Sequence, residues 1–170
     1  MSVKLARMAD AVDVAALPPG LPAYAGYVDG YSTFHALCKR FYPYAHCLSI
    51  TVEGGPAEIA DLENGTFGGG TQPEIVAAGV RWLQRRLAER VWRPGLYFPV
   101  SWQTAVEAEL DRELPHEPRS SYRLWGAHWV DFEPDTIPAG LDAVQWEGGV
   151  DAAYDLSVVA ADFFPGPPLH

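Results

Sequence analysis

Asp61 and Glu63 stand two residues apart in a stretch, residues 57–63, that reads as a β-strand. Side chains at i and i+2 leave a strand on the same face. The pair therefore presents two carboxyls side by side, sharing a face with Ile59, while Ala60 and Leu62 turn toward a covering helix. Crowded carboxyls can do acid–base work. Crowding raises a carboxyl's pKa, and a proton held near neutral pH is what a general acid needs. Placing two of them together costs stability unless something uses them.

Other residues are candidates for the same rim. Asp29 ends the first strand read from the pattern, and Asp155 sits near the start of the last. Those two strands become neighbours if the sheet closes. Gln145 shares a strand face with Ala143 and Glu147, and Trp125 shares one with Ala127 and Trp129. Tyr97 lies near the end of its own strand. Together they describe an acidic pocket with aromatic walls. Asp61, Glu63, Asp29 and Asp155 are the candidate catalytic groups; Trp129, Gln145, Tyr97 and Trp125 are the candidate substrate contacts.

The elements that must position these residues follow from patterning. Residues 1–24 read as a lead-in that ends in a Pro-rich turn. Strands are predicted at residues 25–31, 46–52, 57–63, 96–100, 123–130, 143–147 and 154–159. Ser32 fits an N-cap, and Phe34, Leu37, Cys38 and Phe41 follow with helical spacing. Pro73 suits the first turn of a second helix, whose stripe is Val76, Val80, Leu83 and Leu87. Ser101 fits the cap of a third, carrying Trp102, Val106 and Leu110. Gly65 to Gly70 make no phosphate loop, since no Gly-Lys-Ser/Thr follows; they read as a mobile loop beside the site. Strand–helix alternation implies a parallel sheet. The expected fold is α/β, a small TIM-like βα-barrel of about seven strands with helices mainly in the first two-thirds. An open doubly wound sheet is the alternative. The barrel is expected to occupy residues 25–162, with a Pro-rich tail at 163–170.

Length and composition bound the rest. A chain of 170 residues argues for one domain. A net charge of −10 argues against nucleic-acid and anionic-membrane partners. No stretch approaches the roughly 20 apolar residues of a membrane span. Asp10 and Asp13 interrupt the only stretch that could serve as a signal-peptide core. The chain is expected to be made in the cytoplasm without a signal peptide, and to stay there or be released or carried on a virion. Cys38 and Cys47 lack metal-ligand spacing and read as free thiols in a reducing compartment. The histidines at 35, 46, 116, 128 and 170 show no metal spacing. No metal or cofactor is expected.

Asp29, Asp61-Leu62-Glu63, Leu124-Trp125-Gly126-Ala127-His128-Trp129, Gln145-Trp146 and Tyr154-Asp155-Leu156-Ser157 occur in one order. That order resembles the family 25 glycoside hydrolases, the Chalaropsis-type muramidases, and more closely their shorter actinobacterial and phage-borne relatives. The resemblance spans residues 25–160. It implies a peptidoglycan-type, N-acetylated glycan as partner. It implies Glu63 as general acid, Asp61 steadying the substrate's N-acetyl group, and Asp29 and Asp155 completing the cluster. Substrate-assisted attack would dispense with a second carboxylate as nucleophile. The short stretch between Asp29 and Asp61 implies that one βα unit of the larger family is missing. Two further readings stand beside this one. One is a catalytically silent barrel that binds a glycan. The other is a structural or assembly protein, such as a virion component with a protein partner.

Overall fold

A computed structural model describes residues 5–29, 33–130, 132–148 and 152–165. Eight strands form a closed barrel in sequence order. They are β1 (Leu5–Ala11), β2 (Ala23–Tyr27), β3 (His46–Thr51), β4 (Ile59–Asp61), β5 (Gly95–Pro99), β6 (Arg123–Ala127), β7 (Ala143–Glu147) and β8 (Asp155–Ala160). Neighbours from β1 to β7 pair in parallel. β8 closes the ring antiparallel to both β7 and β1. The mixed α/β barrel thus has eight strands, not seven, and its last strand runs backwards.

The additional strand is β1, in the segment read as a lead-in. Residues 5–11 pair with both β2 and β8, so they belong to the barrel. Ala6, Met8 and Asp10 alternate with Arg7, Ala9 and Ala11. Ala6 and Met8 join the inner core, and Ala9 and Ala11 pack outside. At the far end of the chain, Phe163 and Phe164 are buried and close the barrel floor. They are core, whereas the expected tail began at Phe163; residues 166–170 lie outside the described residues.

Three helices cover part of the wall: α1 (Phe34–Phe41), α2 (Gln72–Ala88) and α3 (Gln103–Glu113). Pro73 lies in the first turn of α2, and Glu74 accepts from the Thr71 N–H and hydroxyl. The apolar stripe of α2, from Ile75 to Leu83, buries Ala60 and Leu62 of the β4 segment, as period-two patterning requires. Each fully buried Leu, Ile or Val in this contact stabilises the fold by about 1.5–3 kcal/mol. A 3-10 turn, Val100–Trp102, leads into α3, so Ser101 is not its cap. The Ser32 cap lies outside the described residues. α1 approaches β2 closely, because a Cβ on Gly26 would stand 2.1 Å from the Phe34 ring. A Cys38–Cys47 disulfide ties α1 to β3. The two cysteines are therefore bonded, not free thiols: helix spacing turns Cys38 inward, toward the start of β3.

What is missing relative to the expected barrel is helix, not strand. Parallel neighbours ordinarily need a crossover of a dozen or more residues. Here β3 and β4 are joined by residues 52–58 alone. Side chains hold that tight crossover. The Thr51 hydroxyl oxygen accepts from the Gly54 and Gly55 N–H groups, both at 3.0 Å. The Trp82 indole donates to the Gly55 carbonyl and the Arg86 guanidinium to the Ala57 carbonyl, each at 3.0 Å.

Candidate active site

Apolar side chains fill the lower and middle barrel. Trp125 is fully buried there, edge-on to Tyr97 and Phe163, and its indole donates to Ser157 Oγ at 3.1 Å. Inward-facing positions change to polar at the end where the parallel strands finish. Asp10 comes near the end of β1, Tyr27 at the end of β2, Asp61 at the end of β4. Tyr97 comes from β5 and Gln145 from β7. Because β8 runs backwards, its first residue, Asp155, reaches the same end. Parallel βα-barrels carry their active sites at this end.

Asp10 is the residue that sequence reading missed. It lies inside the barrel and only 4% of it is exposed. It stands directly opposite Asp155 in the β1–β8 register. Like charges placed cross-strand repel, so the pair favours keeping one proton. Burial holds the Asp10 carboxyl well above the usual carboxylate range, with Asp155, Asp61 and Glu63 adding to the rise. The first-strand aspartate is thus Asp10. Asp29 follows the second strand, which is not a neighbour of the strand that carries Asp155. The signal for Asp10 was the alternation Ala6, Met8, Asp10.

Asp61 is 3% exposed. Tyr27 donates to its Oδ2 at 3.0 Å, and its Oδ1 has no partner. Its pKa is pushed up to about 8, chiefly by burial and then by Glu63, with Asp29 adding a little and the Tyr27 hydrogen bond working against the rise. Glu63 lies further out and is half-buried. Its pKa is raised, first by burial and then by Asp155, against a hydrogen bond from Tyr97. β4 ends at Asp61, so Glu63 lies two residues past the strand, where its charge acts on Asp61.

The remaining candidates separate. Gln145 is buried and donates to Asp155 Oδ2 at 3.1 Å, so it orients that carboxyl. Tyr97 lines the cluster. Asp29 accepts from the Thr51 hydroxyl at 2.7 Å and from the Val52 N–H, bracing the β3–β4 crossover. Its charge reaches Asp61, but both oxygens already have partners. Trp125 is sealed in the core, away from any ligand at the surface. Trp129 lies beyond β6, 52% exposed. With Val130, Trp146 and Glu147 it borders a cavity of about 460 Å³.

Two loops fix the cluster from outside. Thr66 Oγ1 accepts from the Glu63 N–H at 3.1 Å and donates to the Glu63 carbonyl at 2.9 Å. Phe67 adopts φ 53°, its N–H donates to the Val52 carbonyl, and its ring packs on the core. Thr66 and Phe67 thus tie the glycine-rich segment to Glu63 and to the β3–β4 crossover. On the other side, a Cβ at Gly148 would fall 1.8 Å from Asp155 Oδ1. The backbone can approach that carboxylate only because residue 148 is glycine.

Among the described residues no three His, Cys, Asp or Glu side chains converge so as to hold a metal ion. No described helix is long and apolar enough to cross a membrane. Comparison of the chain with family models, with curated proteins and with solved structures gives no match.

Proposed function

We propose that this chain is a glycoside hydrolase-like protein, a trimmed TIM-like barrel acting on N-acetylated glycan of the peptidoglycan type. One observation carries the reading: Asp10, Asp61, Glu63 and Asp155 meet at the end of the barrel where the parallel strands finish. Glu63 is the general acid. It combines a raised pKa with access to solvent, so it can hold a proton and still reach a glycosidic oxygen. Asp61 sits deeper and steadies the substrate's acetamido group, which serves as the internal nucleophile. Asp155, held by Gln145 and Gly148, balances charge that develops on the sugar. Asp10 takes the place that sequence reading gave to Asp29. The Cys38–Cys47 disulfide supports work in an oxidising compartment, outside the reducing cytoplasm.

Clearing of a peptidoglycan suspension tests the reading. The wild type should clear it and Glu63→Gln should not, with the loss exceeding about a hundredfold, as removal of a general acid gives. Equal clearing by both proteins removes Glu63 from the mechanism. A second reading, a glycan-binding barrel without turnover, draws on the exposed Trp129 beside the cavity it shares with Trp146. It requires binding that weakens on Trp129→Ala, with no clearing by the wild type.

A further inference from the structure

Deepening the hydrolase reading, on which it rests, we propose that Asp29 and Thr66 are positioning residues for Glu63. They are the two ends of a bracket, built on the helix-less crossover between β3 and β4, that holds the acid-bearing turn at the mouth.

Glu63 needs such a hold because the sheet gives it none. β4 ends at Asp61, and the last backbone link to β5 runs from the Leu62 N–H to the Tyr97 carbonyl at 2.8 Å. From Glu63 onward the chain closes on itself. Both backbone groups of Glu63 go to Thr66. Thr66 Oγ1 accepts from the Glu63 N–H at 3.1 Å and donates to its carbonyl at 2.9 Å, which also accepts from the Thr66 N–H at 3.2 Å. A turn closed only on itself would swing as one piece about Leu62.

Its anchor is the next residue. The Phe67 N–H donates to the Val52 carbonyl at 2.7 Å. The Phe67 ring lies against Gly54, where a Cβ would stand 2.9 Å from it. Phe67 holds φ at 53°, a backbone region that a bulky residue keeps only where its surroundings impose it. Val52 is gripped from its other side. Its N–H donates to Asp29 Oδ2, while the Thr51 hydroxyl donates to Asp29 Oδ1 at 2.7 Å. A carboxylate acceptor makes these the stronger kind of hydrogen bond. One unbroken path thus runs from Asp29 through Val52 and Phe67 to Thr66 and Glu63.

The crossover itself does not require this path. Thr51, Trp82 and Arg86 already hold residues 54, 55 and 57. What the additional links reach is Glu63, whose carboxyl has to stay beside Tyr97 and Asp155 to serve as the acid. A displacement of about 1 Å at a reacting group can cost on the order of a hundredfold in rate.

Thr66→Val removes the hydroxyl and keeps the shape; Asp29→Ala frees the Val52 N–H. On dye-labelled peptidoglycan each should lower kcat by about tenfold or more, with KM within about twofold. Thr66→Ser and Asp29→Asn each keep an oxygen for its N–H and should recover kcat to within about threefold. Asparagine also takes the charge of Asp29 away from Asp61, so its recovery assigns the effect to position. In the double variant the two losses should not multiply, because both break one path. Thermal melts check folding; if Asp29→Ala does not fold, the Thr66 pair decides alone. Undiminished kcat in Thr66→Val, failure of serine to rescue it, or multiplying losses overturns the proposal. Carbon NMR titration of the Glu63 carboxyl reads the same hold without turnover. In Thr66→Val its pKa should fall toward the ordinary carboxylate range as the side chain leaves its half-buried seat, and in Thr66→Ser it should stay raised. An unmoved titration overturns the bracket and leaves the hydrolase reading standing. A wild type that clears no peptidoglycan, beside a titration that moves as stated, removes the hydrolase reading and leaves the bracket.

Discussion

Replacing Asp61 with Asn removes a buried carboxyl that titrates within the accessible pH range. In the folded protein its pKa stands at about 8, against an ordinary 3.8. Between those values the folded chain holds a proton that the unfolded chain has released. Stability therefore falls as pH rises. The contribution is fully present below about pH 4 and is lost by about pH 8. From pH 5 to pH 8 the loss is about three pH units at ~1.4 kcal/mol each, about 4 kcal/mol. That is a large share of the roughly 5–15 kcal/mol that holds a domain together. Asparagine keeps an acceptor for the Tyr27 hydroxyl but does not titrate. Urea unfolding followed by tryptophan fluorescence at both pH values reads the effect. The wild type should lose up to about 4 kcal/mol more than Asp61→Asn over that interval. Asp10 and Glu63 push in the same direction in both proteins, and because Asp61 adds to the rise at Asp10, the difference between profiles reads Asp61 together with that coupling. Parallel profiles would refute the assignment of a protonated Asp61 in the native state.

Phe163→Ala should destabilise the protein by about 3–5 kcal/mol, because it empties the floor beneath Trp125; a loss below about 1 kcal/mol in a thermal melt would show that the floor is closed by other groups. Cys38→Ser with Cys47→Ser should cost about 2–3 kcal/mol under non-reducing conditions. The wild type in reductant should then match the double variant, and separate midpoints would rule the bond out. Gly148→Ala drives a methyl into the Asp155 carboxylate at a backbone φ of 146°. Peptidoglycan clearing should fall by about tenfold or more while the melt moves by about 1–3 kcal/mol. Undiminished clearing would mean that the position of Asp155 is unimportant.

Much of the barrel is readable in local patterns, because local patterns set strand faces and helix stripes. The spacing of Ala60 and Leu62 is enough to place both on the face that α2 covers. The α2 stripe is equally legible. β1 is not, since its inward face ends in an aspartate, and polar residues inside a barrel break the apolar alternation that reveals a strand. The same aspartate explains why a segment that closes the ring reads as a lead-in. Asp29 misleads for a related reason: a strand-end aspartate looks the same whether it meets a ligand or braces a crossover. The Cys38–Cys47 bond depends on where α1 lands against β3, and no spacing within either element reveals that. Trp125 and Trp129 share a parity on paper, yet β6 ends at Ala127, so one fills the core and the other stands in solvent.

The backward course of β8 makes it the least editable part of the chain. Each parallel strand delivers its inward residues to the mouth and then passes into a loop that can be lengthened or cut without disturbing the opposite end. β8 begins at the mouth with Asp155 and leads, a few residues later, to the aromatic stopper at the floor. Deleting one residue from it would turn Ser157 and Val159 outward, bring Leu156 and Val158 inward, and draw Phe163 off its seat. Rim and floor would fail together. Variation in length should therefore be tolerated between β6 and β7, and hardly at all between Asp155 and Phe163.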